Sequence, residues 1–538
     1  MRSTRAISSL LALALLPLQQ PHPAQGTQHI GTVRFATSCN PAAQALFSRA
    51  VALLHSFAFG QATEGFNAVL RADPGCAMAY WGIAASAWGN PFAAGIKSPA
   101  QIQRGLEAIN RGRSTGAPTP RESAYIEAVA GLFEHADSLD KPARLIAYRD
   151  AMGRLAAEQP ADTEAAIFHA LAMAISADPA DKTYASQLAA GAMLERLFAR
   201  LPNHPGLAHY IIHTYDVPPL ADRSRAAAGR YARIAPAIAH ALHMPSHTWT
   251  RVGDWQHSID ANVAAGAAAR REGSTAEELH TLDYRTYAYL QLGQDRAARR
   301  ILDSLQFIAP RLDPNATGGA APPAAGYFAI AAIPARYALE RGAWAEAARL
   351  EPRPSPVPFA NALTWFARAL GASRTGDTVA AQAAIASLQG IRDRLLQAKE
   401  AYWSEQVEIQ RQAAVAWLGF AMGRQDEALA GMRAAADRED ATEKNAITPG
   451  PLAPARELLG EMLLAAHRPA EALTAFETAL RHEPNRFRTI AGAARAAHGS
   501  GNARAAARYD AALLKLGARA DRPRRPELAE AARTSRSP

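Results

Sequence analysis

Apolar residues recur along this chain at three- and four-residue intervals, and no alternating pattern of useful length marks a strand. The stretch Ala62-x3-Phe66-x2-Val69-x4-Pro74, followed by Tyr80-Trp81-Gly82, shows the unit most clearly. Far along the chain, Ala472-x3-Phe476-x2-Ala479-x4-Pro484 repeats the same offsets, and a partial copy, Ala505-x3-Tyr509-x2-Ala512, begins 33 residues later. Such a unit predicts a helix whose small Ala lets a second helix approach, whose Phe fills the gap, and whose Pro ends it.

These are the second-helix positions of a tetratricopeptide repeat (TPR). Weaker copies lie between them: Trp417-Leu418-Gly419 with Ala428, Met432 and Ala435; Leu290-Gln291-Leu292-Gly293 with Ala297; Arg341-Gly342 with Ala347; and Gly253-Asp254-Trp255 with Ile259. In each, Gly stands where one helix turns into the next. The pattern predicts an all-α, TPR-type α-solenoid, a superhelix of antiparallel helix pairs. The Pro/Gly/Ala-rich stretch 309–326 reads as a linker between an N-terminal array over 27–308 and a C-terminal array over 327–520. The Pro-dense segment 351–358 reads as a second loop. The basic tail 521–538 has little to bury and reads as disordered.

Composition narrows the class. The 538 residues are 49% hydrophobic and 20% charged, which is the make-up of a folded chain. Net charge is +9 and 52 of the 58 cations are arginine, but they are interleaved with acids. No basic block is dense enough to make a nucleic-acid groove. Residues 1–26, with Arg2 and Arg5 before the run ISSLLALALLPL and small residues at Ala24–Gly26, read as a signal peptide. Its apolar run is too short for a membrane span. The expected location is therefore periplasmic or secreted. Cys39 and Cys76 are the two cysteines. In an exported chain they are a disulfide candidate, contributing about 3–4 kcal/mol by loop closure; two buried thiols are the alternative.

Histidine carries the one chemical signal. Eight of the sixteen fall within 204–280, where an even spread would put about two. His209 and His213 stand at i, i+4, which on a helix puts two imidazoles on one face. His243 and His247 repeat the spacing, although Pro245 places His243 just before a helix and His247 in its first turn. His280 opens the next helical stretch. Asp216 can ligate or can orient an imidazole. Together His209, His213, His243, His247, His280 and Asp216 make a candidate site for a transition metal, with zinc, copper and iron all suited to imidazole. Two other readings stay open: a groove binding a protein or peptide partner without metal, and histidines that only cap helices. HExxH, phosphate-loop, GxGxxG and GxSxG signatures are absent. Glu122, Tyr125, Asp162 and Glu164 read as solvating or capping groups. Trp81, Trp88, Trp249, Trp255, Trp365 and Trp403 read as packing residues.

Three blocks resemble a family of exported bacterial TPR proteins. They are Thr37-Ser38-Cys39 through Asp73-Pro74-Gly75-Cys76; Pro205 through Asp216 with His240-Ala241-Leu242-His243-Met244-Pro245-Ser246-His247; and Thr448-Pro449-Gly450-Pro451 with Pro484-Asn485-Arg486-Phe487. The resemblance spans nearly the whole chain past the leader and implies the TPR fold and export, with no activity attached. It places an imidazole where Asn445 stands, so that position is no essential ligand in this chain. His55 fits the same pattern and packs inside the first repeat or approaches the cluster. The resulting expectation is an exported TPR binding or scaffold protein with a central histidine site. The alternative is a metal-dependent hydrolase or oxidoreductase on the same solenoid.

Overall fold

The computed structural model describes residues 29–93 and 97–535. The expected leader at 1–26 and the last three residues of the chain lie outside them. Every regular element among the described residues is a helix. Capping sets many of the starts: the Asn40 side chain accepts from Ala43 N–H ahead of Pro41, and Ser98 forms a capping box with Gln101. Helix packs on following helix, as in Pro41–His55 on Phe59–Ala72 on Ala77–Trp88, and again in Ala455–Ala465, Pro469–His482, Phe487–Gly499 and Ala503–Leu516. The fold is an all-α, TPR-type solenoid.

The repeat signature acts through close approach. Phe66 is fully buried, and a Cβ on Gly82 would stand 2.2 Å from its ring. Phe476 does the same between two glycines, with a Cβ on Gly460 falling 2.7 Å and one on Gly492 2.3 Å from its ring. Each aromatic ring therefore occupies the volume that the missing side chains leave, which is why the offsets recur.

Several expectations need correction. Helix Pro323–Leu339 begins inside the 309–326 stretch, which is therefore not loop throughout, and it packs on Thr275–Gln291. Gly60 N–H also donates to Gly318 O, tying this stretch to the first repeat. In the tail, Pro526–Thr534 is a helix with Leu528 fully buried, and Arg525 pairs with Asp295. Its apolar residues are few but sit on one face, which suffices to dock the helix. Glu122 is buried and accepts from Ser38 N–H and Oγ–H at 2.6 Å, while Tyr125 donates to Asp162 at 3.0 Å. Cys39 and Cys76 form a disulfide with Cα atoms 5.0 Å apart. Trp81, Trp88, Trp255 and Trp403 are buried as expected; Trp249 and Trp365 are half-buried.

The array closes on itself. Trp255 Nε1 donates to Asn485 O, Gln291 accepts from Phe487 N–H, and Arg336 donates to both Pro451 O and Gly450 O. Arg336 and its partner Asp283 are both completely buried, as are Arg486 and its partners Glu340 and Glu457. The 441–454 loop thus lies against the histidine-bearing helices.

Gly82→Ala should cost about 1–3 kcal/mol by overpacking against Phe66. Pairing it with Phe66→Leu should return part of that loss, read as chemical-denaturation midpoints of the four proteins in the cycle.

Candidate metal centre

Four helices bring six imidazoles together. Pro205–Thr214 carries His209 and His213 one turn apart, and Thr275–Gln291 carries His280. Ala239–His243 supplies His240 and His243, and Pro245–Arg251 supplies His247. Pro245 removes one backbone donor, yet Met244 keeps helical angles and its N–H donates to His240 O. The two short helices therefore run on almost continuously, so His240, His243 and His247 form one stripe at i, i+3, i+7. This corrects the expectation that Pro245 leaves His243 outside a helix.

Two triads result. Donor nitrogens of His209, His213 and His240 lie within 4.8 Å of one another, as do those of His243, His247 and His280. All six side chains are buried, none more than 7% exposed. His240, left out of the expected ligand set, completes the first triad; its i, i+3 spacing from His243 is the sequence signal that points to it.

Hydrogen bonds to the outer nitrogens orient the rings. His209 Nδ1–H donates to His55 O at 2.6 Å and His240 Nδ1–H to Glu277 at 3.1 Å. His247 Nδ1–H donates to Asp216 at 2.8 Å. His243 Nδ1 is 2.6 Å from Asn262 Oδ1, and Asn262 uses its amide N–H on Ser258 O, so Oδ1 accepts and His243 donates. With the protons on Nδ1, each Nε2 presents a lone pair. The Nε2 atoms of His209, His213 and His240, and Nδ1 of His280, are buried without a protein partner. His243 and His247 point their Nε2 atoms at each other across 3.1 Å.

Asp216 holds His247 by its outer nitrogen. Its carboxylate receives His247 Nδ1–H, Arg251 Nε–H at 2.9 Å and Lys444 Nζ–H at 2.7 Å. Burial alone would raise its pKa, but Lys444 and Arg251 hold it well below the usual carboxylate range. Asn445, beside Lys444, accepts from Ile447 N–H and belongs to neither triad.

A third cluster lies behind the first triad. His55 and His204 each place Nε2 2.9 Å from opposite oxygens of Glu164, and His55 Nδ1 faces the Tyr210 hydroxyl at 2.9 Å. Glu164 is buried rather than solvating a helix surface, since a buried carboxylate needs such partners. The cluster is closed around that carboxylate, and its His55 carbonyl steers His209. A Cβ on Gly206 would stand 2.5 Å from the His55 ring, so glycine there admits this imidazole. Phe57, in the left-handed region at φ 55°, sets its ring 4.2 Å from that of His209, while Phe92 stacks on His213 at 4.1 Å.

Next to the centre lies a cleft of about 110 Å³ lined by Phe359, Tyr402, Trp403, Arg251, Lys444 and His482, among others. Phe359 and Trp403 stack at 3.7 Å. Its Arg251 and Lys444 are the residues that grip Asp216 behind His247.

No protein-family model matches this sequence, and no curated protein matches it. Among solved structures the chain is similar to a human IFIT1 dimer with m7Gppp-AAAA, at 9% identity over 78% of this chain and 87% of that one, TM-score 0.34. It is also similar to the APC/C hetero-tetramer Cut9-Hcn1, at 11% identity over 92% and 90%, TM-score 0.30. The TPR domain of P58(IPK) is a third, at 12% identity over 72% and 98%, TM-score 0.21. At these scores the fold assignment stands on the helix packing itself.

Burial pushes His247 down to about 4 and His280 to about 3, and holds His209, His213 and His243 well below the usual imidazole value. These groups are neutral when folded and titrate near 6.5 when unfolded. The folded state therefore binds fewer protons, and its stability is present above about 6.5 and lost as pH falls toward 4. Metal-free protein should therefore lose stability steadily as pH falls through that window. Denaturant titrations at pH 7.5 and 5.0 measure the loss, and His247→Gln should lessen it.

Proposed function

We propose that this chain is an exported TPR-type binding protein that carries a transition-metal centre in its buried histidine triads. The observation that carries the reading is the His243–His247 pair. Both rings commit Nδ1–H to an acceptor, so two lone pairs face each other at 3.1 Å. A cation between them turns that repulsion into attraction. The orientation of His209, His240, His243 and His247 by a backbone carbonyl, a carboxylate or an amide is the arrangement that metal-ligating histidines use. His280 and the first triad offer further neutral donors.

Export is supported by the Cys39–Cys76 disulfide, and among the described residues no helix is long and apolar enough to cross a membrane. The aromatic cleft supports a partner-binding role, with a protein or peptide segment as its occupant. Because Arg251 and Lys444 serve both the cleft and Asp216, an occupant would feel the state of the centre.

Elemental analysis of untagged protein should find a near-stoichiometric transition metal. His243→Ala/His247→Ala should remove metal from the second triad, while His257→Ala, an exposed histidine paired with Asp254, should leave the content unchanged. Adding metal to a hundredfold excess over Kd should stabilise the metal-free protein by about 2.7 kcal/mol per site. No metal uptake after incubation with zinc, copper and iron salts overturns the reading.

A further inference from the structure

Resting on the metal centre proposed above, we propose further that the two triads act as one unit, holding a pair of copper ions that take up dioxygen between them. The boundary between the triads falls within one helical turn, since His240 belongs to the first and His243 to the second. Their rings are 6.0 Å apart, and those of His213 and His247, again one from each triad, are 5.6 Å apart. Within the first triad the spacings run from 4.9 to 6.3 Å, and in the second His243 lies 4.5 Å from His280 and 5.0 Å from His247. Neighbouring rings across the boundary are closer than the widest-spaced pair within the first triad, His213 and His240 at 6.3 Å. Two ions would therefore be neighbours rather than occupants of independent sites.

The donor set selects the ion. All six donors are imidazoles, which bind a metal as uncharged ligands. Both cysteines are in the disulfide, and the adjacent carboxylates, Asp216 and Glu277, are engaged with the outer nitrogens of His247 and His240. Asp216 is further neutralised by Arg251 and Lys444. Two dications would place four positive charges among buried neutral ligands, at a large desolvation cost. Two copper(I) ions bring half that charge, accept three nitrogen donors each, and suit imidazole.

The reaction follows from the same charge constraint. Each copper(I) gives up one electron, and dioxygen accepts the two to become a peroxide dianion bound between two copper(II) ions. No proton or outside reductant enters. The ensemble carries two positive charges before and after, so the buried site meets no added charge on oxidation. Neither ion alone can supply both electrons at these oxidation states, which makes the pairing of the triads the functional feature.

The test loads metal-free protein with copper(I) under anaerobic conditions, counts copper per chain, then admits dioxygen. The expected result is two coppers per chain, one dioxygen consumed per pair, a new near-ultraviolet absorption, and no electron paramagnetic resonance from copper(II). His213→Gln should leave one copper per chain, give an ordinary copper(II) resonance after chemical oxidation, and lose dioxygen uptake. His240→Gln repeats the test should the first variant misfold, as judged by circular dichroism. One copper per chain in the parent, a full-intensity resonance from isolated copper(II), or no dioxygen uptake overturns the pairing. A single bound ion of any metal removes this inference and leaves the metal centre standing; no bound metal at all removes both.

Discussion

The carboxylate of Asp216 is the joint on which the site turns. It lies just past the end of the His209/His213 helix and accepts a hydrogen bond from His247 Nδ1–H, on the next histidine-bearing segment. It also receives Lys444, from a loop more than two hundred residues further on. One buried carboxylate thus sets an imidazole, anchors the C-terminal loop and shares Arg251 with the neighbouring cleft. Removing one partner of such a buried group leaves an uncompensated charge, which costs far more than a surface pair would. The same logic runs through Asp283–Arg336 and Glu457–Arg486, whose arginines also reach Gly450 O and the Tyr287 hydroxyl from segments far apart in the chain.

A helical solenoid suits a histidine centre for a geometric reason. Successive helices present residues at i, i+3 and i+4 on the face turned inward, and neighbours pack closely enough for those faces to meet. Small residues control the approach: Gly206 admits the His55 ring, and the His55 carbonyl in turn orients His209. Phe57 holds a left-handed backbone that few bulky residues adopt, and places its ring against the first triad. Such a conformation costs about 1–3 kcal/mol, which the surrounding packing must hold in place.

Much of this architecture was legible before any coordinates. The Ala62/Phe66 and Ala472/Phe476 offsets announce helix pairs, because close packing demands the same small and large residues wherever the unit recurs. Five of the six imidazoles stood out by density and spacing. His240 was missed because its i, i+3 relation to His243 was overshadowed by the i, i+4 pairs. Glu164 was misjudged because a carboxylate on an amphipathic helix looks the same in sequence whether its partners are waters or two histidines. The tail misled for a similar reason: Leu528 and Ala531 are few, yet one face of one turn is enough to dock.

The sequence by itself determined the secondary structure and the repeat type, since these depend on neighbours within a few residues, and it pointed to the histidine-dense segment. Tertiary structure alone decided that six imidazoles gather into two triads, that Asp216 accepts from His247 and Lys444, and that the 441–454 loop lies against the histidine-bearing helices. Those outcomes rest on contacts between segments far apart in the chain. The direction of an imidazole's lone pair is set by whichever acceptor the fold brings to its other nitrogen, and no local pattern encodes that partner.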